Sequence, residues 1–175
     1  MGFTCRDCGE EHDQLPMSFH AEMPQAWMEI PEDEEEERGQ LSSDQCEIDG
    51  EHFFMRGLVK IPVQGLEETL DWGVWFELSP EIYDRFVELW DDEGRDQEPP
   101  HPARLSTRLP SFLYPDTIDL PVRIFTQAVG ERPLVQVGGD HPLAVEQKQG
   151  MTQARLEEIW AKLLHQDDDE DEDDA

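Results

Sequence analysis

The sequence is poor in lysine. Lys60, Lys148 and Lys162 are the only ones in 175 residues, and Lys plus Arg number 13 against 43 Asp plus Glu, a formal net charge of −30. So few cations cannot neutralise a phosphate backbone, which argues against naked nucleic acid as a partner. Basic proteins, cations and water remain compatible, and many acids with few lysines also suit a salt-rich cytoplasm. Long apolar runs are missing, so neither a transmembrane helix nor a membrane partner is expected. The opening residues, MGFTCRDCGEEHD, contain no apolar stretch of a signal peptide, and Arg6 stands where a myristoylation motif needs Ser or Thr. Cysteine is scarce too: Cys5, Cys8 and Cys46 are too few for a four-cysteine ribbon, and an odd count without an export signal points to a reducing cytoplasm. No glycine-rich phosphate loop and no G-x-S-x-G elbow occur.

What is present suffices for one core. The chain is 37% hydrophobic, with 5 Trp and 8 Phe, which fits a single domain over residues 1–165. Two acidic runs, EDEEEE at 32–37 and DDDEDEDD at 167–174, hold fourteen of the acids, so the remainder is acidic as well. Residues 166–175 have no apolar side chain before Ala175 and read as a disordered tail.

Residues 1–45 read as irregular, with short helices over 24–30 and 31–39, started by Pro24 and Pro31. Asp49-Gly50 between apolar stretches predicts a hairpin over 46–63, with Gly57 marking a bulge. TLDWGVWFELS (69–79) predicts a strand. SPEIYDRFVELWDDEG (79–94) predicts a helix capped by Ser79, started by Pro80 and ended by Gly94, with Ile82, Phe86, Leu89 and Trp90 in one stripe. ARLSTRL (103–109) alternates like a strand, and VRIFTQA with PLVQVG predicts a second hairpin. Asp140 is positioned to cap a helix ending at Gly150. Thr152 would cap a final one, with Leu156, Ile159, Trp160, Leu163 and Leu164 on its buried face. The pattern predicts an α+β fold: an antiparallel sheet of about five or six strands with helices packed on it, and an irregular zinc-knuckle-like N-terminal segment.

The phrases CRDCGEEH, LSSDQCEIDGEHFFMRG, WGVWFELS, LPSFLYPDT, RPLVQV and DHPLAVEQKQGMT, in that order, resemble the uncharacterised bacterial family DUF2199. The resemblance spans roughly Phe3 to His165. It implies a small cytoplasmic bacterial protein and supplies no catalytic residues.

Cys5 and Cys8 have the spacing of half a tetrahedral zinc site, and Gly9 after the second cysteine suits a metal knuckle. Acids close behind would raise a thiol pKa, which argues against a redox pair. Cys46 supplies the third sulfur. The fourth ligand is His12, four residues past Cys8, or His52, across the Asp49-Gly50 turn from Cys46; His20 reads as an ordinary surface histidine. A closed site of this kind is structural. Asp140, His141 and Glu146 offer an acid/base group, but a capping role for Asp140 explains the same residues and no nucleophile accompanies them. Trp72, Trp75, Phe53 and Phe54 read mostly as core; Trp72 and Trp75 fall on opposite faces of a strand unless Gly73 bulges it, so the alternative is one of them exposed as a binding surface. The reading that follows is a non-enzymatic binding or interaction module with structural zinc and an unknown protein partner, a basic one being compatible with the charge. Its alternatives are an immunity-type inhibitor of a basic toxin or nuclease, and an enzyme using the Asp140–His141 region.

Overall fold

The computed structural model describes residues 3–4, 11–12 and 17–173, with side chains over 17–163. Two long strands organise it. β6 (His52–Pro62) and β7 (Thr69–Leu78) pair antiparallel without interruption from Phe53↔Leu78 to Pro62↔Thr69. They are preceded by β1 (Phe3–Thr4), β2 (Glu11–His12), β3 (Ser18–His20), β4 (Gly39–Leu41) and β5 (Gln45–Ile48). The turn from β5 to β6 is the expected one. Asp49 and Gly50 hold φ of 56° and 66°, a conformation that an Asp-Gly pair adopts at low cost, and Arg38 clamps Asp49 with paired bonds of 3.1 and 2.9 Å.

Each long strand divides its outer edge between two partners. β7 takes β3 in parallel at residues 71–73 and β8 (His101–Leu105) antiparallel at Phe76 and Glu77. β6 takes β5 at residues 52–55 and, at Leu58, β10 (Leu134–Val137) in parallel. β9 (Pro121–Phe125) joins β8 to β10 through antiparallel ladders. The circuit β6-β7-β8-β9-β10-β6 therefore closes into a five-stranded barrel within a sheet of eight strands. The α+β class is as expected; an open sheet of five or six strands is not what forms.

Closure depends on Gly57. The β6–β7 register runs straight through it, so it makes no bulge. A Cβ there would stand 2.8 Å from the Pro133 carbonyl oxygen and 2.9 Å from the Phe76 and Val135 side chains. Gly57 is where β10 crosses β6, and the Pro133 carbonyl accepts a bond of 3.0 Å from Leu58 N–H.

Both faces of β7 are covered. Trp72, Val74 and Phe76 point into the barrel with Val59 and Ile61 of β6, beneath Leu143 of α4 (Pro142–Gln149) and Leu156, Ile159 and Trp160 of α5 (Gln153–Asp173). Trp75 and Phe54 point the other way, into a second cluster with Cys46, Ile48, Trp27 and Ile30. Gly73 does not bulge, and the two tryptophans do take opposite faces. Neither is exposed, however, because the 17–48 stretch lies over Trp75, whose indole N–H donates to the Ala21 carbonyl at 3.0 Å. Both tryptophans are core, as the main reading has it, and the alternative of an exposed tryptophan surface is absent for that reason.

Helices α1 to α3 are shorter than their sequence patterns. α1 is Gln25–Met28, α2 is Glu35–Arg38 after a 3-10 turn at Glu32–Glu34, and α3 is Pro80–Glu88. Ser79 caps α3 by accepting from Ile82 N–H at 3.3 Å, and Thr152 caps α5 through Arg155 N–H at 3.1 Å. His141, rather than Asp140, caps α4, accepting from Leu143 N–H at 3.1 Å. Gln147 of α4 completes the free edge of β10, donating to the Val135 carbonyl and accepting from Val137 N–H, so the edge is blunted by a side chain. The range of α5 takes in acids 167–173, which composition assigns to a disordered tail.

A candidate ligand cleft beside the barrel

A cleft of about 680 Å³ opens where β6, the end of α3 and the β9–β10 connection meet. Alternation along β6 sends Arg56, Leu58 and Lys60 to it from the outer face. Phe86 and Trp90 line it from α3 and the turn beyond, and Thr126 and Val129 to Pro133 from the connection. Trp90 and Val129 are 39% and 42% exposed, two of six large apolar side chains left exposed among the described residues.

Arg95 builds one wall. It is 8% exposed, and it has no carboxylate partner among the described residues. Its guanidinium instead donates to four carbonyls: Trp90 at 3.0 Å, Gln127 at 2.7 Å, Ala128 at 2.8 Å and Glu131 at 2.9 Å. Those bonds tie the end of α3 to the 127–131 turn and set the cleft's width. Gln127 Nε2, donating to the Arg132 carbonyl at 2.7 Å, completes the turn.

Arg56 and Arg132 form the other wall. Asp44 Oδ1 accepts from Arg132 Nε at 2.9 Å, which orients that guanidinium and leaves both of its Nη groups without a partner among the described residues. Arg56 donates Nη1 to the Ser43 carbonyl at 3.1 Å and lies over the Trp75 ring, 5.8 Å from its centre. Its Nε is buried and has no partner among the described residues, and the same is true of Thr126 Oγ1. Burial, and then the charge of Arg132, push the pKa of Arg56 below its ordinary value. His20, on β3, is lowered as well, by burial first and then by Arg56 and Arg132. These two arginines thus act on each other and on His20, opposed by Asp44, Glu22 and Asp71.

The residues singled out from the sequence lie elsewhere. Cys5 and Cys8, with the expected knuckle, fall outside the described residues. His12 is described as backbone only, opposite Phe3 in the β1–β2 pair. Cys46 is 1% exposed in the second cluster, and burial pushes its thiol up to about 12. His52 is exposed, its Nδ1 2.8 Å from Glu77 Oε2. No group of three His, Cys, Asp or Glu suited to a metal ion occurs among the described residues. Asp140, His141 and Glu146 do not converge as an acid/base group. His141 uses Nδ1 as the cap and holds Nε2 3.2 Å from the Pro115 and Asp116 carbonyls, while Glu146 accepts from Arg155 at 3.2 Å. Arg56, Arg95, Arg132 and Thr126 were not marked by any motif. Only Arg56 lies on a strand; Arg95 sits in a 3-10 turn and Thr126 and Arg132 in the β9–β10 connection, so no shared local pattern marks them.

The fold and the cleft define a small α+β barrel protein with a ligand-sized concavity. The family model described as an uncharacterised protein conserved in bacteria, DUF2199, matches residues 4–151, and the chain belongs to that family. No curated protein and no solved structure matches it. No helix among the described residues is long and apolar enough to cross a membrane.

Proposed function

We propose that the protein is a binding module whose site is the cleft beside β6. The observation that carries the reading is the pairing of exposed apolar side chains, Trp90 and Val129, with buried unpartnered polar atoms on Arg56 and Thr126 in one concavity. Native proteins leave few such atoms unsatisfied, so a ligand that reaches them gains more than contact area. An enzyme working through His141 fits less well, because both ring nitrogens already hold backbone groups. The test is a fragment screen read by amide NMR shifts. Hits that perturb residues 126–133 and Arg56 are expected; hits confined to other surfaces overturn the assignment.

A structural zinc clip made by Cys5, Cys8, Cys46 and His12, or His52, accompanies this reading. It is supported by the β1–β2 pairing, which sets His12 opposite Phe3, two residues before Cys5 in the sequence. The apolar surroundings of Cys46 weigh against its share, since only a thiolate binds zinc. Metal analysis is expected to find about one zinc per chain, lost in Cys5→Ser; zinc retained in Cys46→Ala removes Cys46 from the set, and a metal-free protein with three titratable thiols removes the clip. The inhibitor reading draws on the exposed acids at Glu32–Glu34 and 36–37, which suit a basic protein surface. Replacing them with Gln should abolish capture of a basic nuclease if that reading holds.

A further inference from the structure

We infer that the cleft takes a small amphipathic anion, with an oxyanion head on Arg56 and Arg132 and an apolar or aromatic body against Trp90 and Val129. The inference rests on the binding-module reading and adds the chemical class of ligand. Arg132 is held in place by Asp44 and keeps two free Nη groups, and Arg56 keeps Nε and Nη2 without protein partners among the described residues. Guanidinium groups with spare forked donors match carboxylate and phosphate oxygens, and they do so best where water is partly excluded. Lys60 lines the same cleft, its Nζ 3.9 Å from Asp71, too long for a tight pair.

The cleft's charges favour this choice over a cation. Its acids are Asp44, Asp91 and Glu131, and Asp44 is already engaged by Arg132. Arg56 is part-buried and has no carboxylate hydrogen-bonded to it among the described residues; Asp44 and Glu22 act on its charge only at longer range. An oxyanion at Arg56 Nη2 would supply a directly bonded counter-ion. The apolar wall then sets the rest of the ligand. A bare inorganic ion would leave Trp90 and Val129 wet, whereas an aryl or alkyl group would cover them.

The experiment is calorimetric titration of the full chain at fixed ionic strength with phenyl phosphate, phenylacetate, inorganic phosphate and benzyl alcohol. At least one of the two aromatic anions should bind, and which is tighter tells a phosphate ligand from a carboxylate one. Inorganic phosphate and benzyl alcohol should each bind about tenfold weaker or less, lacking one half of the recognition. Arg56→Gln and Arg132→Gln should each weaken the aromatic anion by about tenfold, and the two variants guard against misfolding of either one. Benzyl alcohol binding as well as the anions would overturn the inference but leave the binding module intact. Undiminished binding in both Gln variants would also overturn it. If no probe binds and the NMR screen finds nothing in the cleft, both fall together.

Discussion

His20 is the residue that reports most directly on the charge around Arg56 and Arg132. Burial and then these two arginines disfavour its imidazolium against the opposite pull of Asp71, so it titrates below its ordinary 6.5. The unfolded chain therefore takes up this proton at a higher pH than the folded one. Its contribution to stability is complete above pH 6.5 and is lost as pH falls through the folded pKa. Arg56→Gln removes one positive neighbour and should raise the His20 pKa, measured by its ring proton shifts; an unchanged or lower value contradicts the assigned field. At this scale the sequence was read correctly for the caps at Ser79 and Thr152, wrongly for Asp140, and poorly for the site. Ser79 and Thr152 sit where short polar residues before an apolar stripe imply. Arg56 looks like any outward strand residue until the fold brings Asp44 and Arg132 beside it.

At the scale of elements, the contact most exposed to test is the crossing of β10 over β6. Gly57→Ala places a methyl group against a backbone carbonyl that cannot rotate away. The expected loss is about 2 kcal/mol, seen as an earlier urea midpoint; wild-type stability would mean that β10 yields freely. A second test lies in the four-carbonyl anchor. Arg95→Met leaves those carbonyls unpaired and should cost about 3 kcal/mol, with amide shifts concentrated in residues 127–131. The hairpins and α3 were legible because Asp-Gly, Ser-Pro and strand alternation are local signals. Barrel closure was not, because it depends on one parallel register contact, Leu134↔Leu58, and on a missing side chain, and neither leaves a pattern in a short window. Gly57 read as a bulge for the same reason: a glycine inside a strand says that something comes close, but not what.

For the whole molecule, a charge of −30 on a chain of this size works against compaction. Sodium chloride screens that repulsion, so the melting temperature should rise with salt, on the order of 5 °C between low and near-molar concentrations. A melting temperature indifferent to salt would mean that local ion pairs already balance the excess. The two-sided burial of β7 has a further consequence. The barrel's hydrogen-bond circuit runs through β6, β7, β8, β9 and β10 and does not pass through the 17–48 layer. The 21–48 part of that layer can therefore detach in a sub-global opening that leaves the circuit whole and wets Trp75, while Phe19 stays packed on Trp72. Amide exchange should divide accordingly, with protection in β4 and β5 lost at lower free energy than in the part of β7 that faces β6.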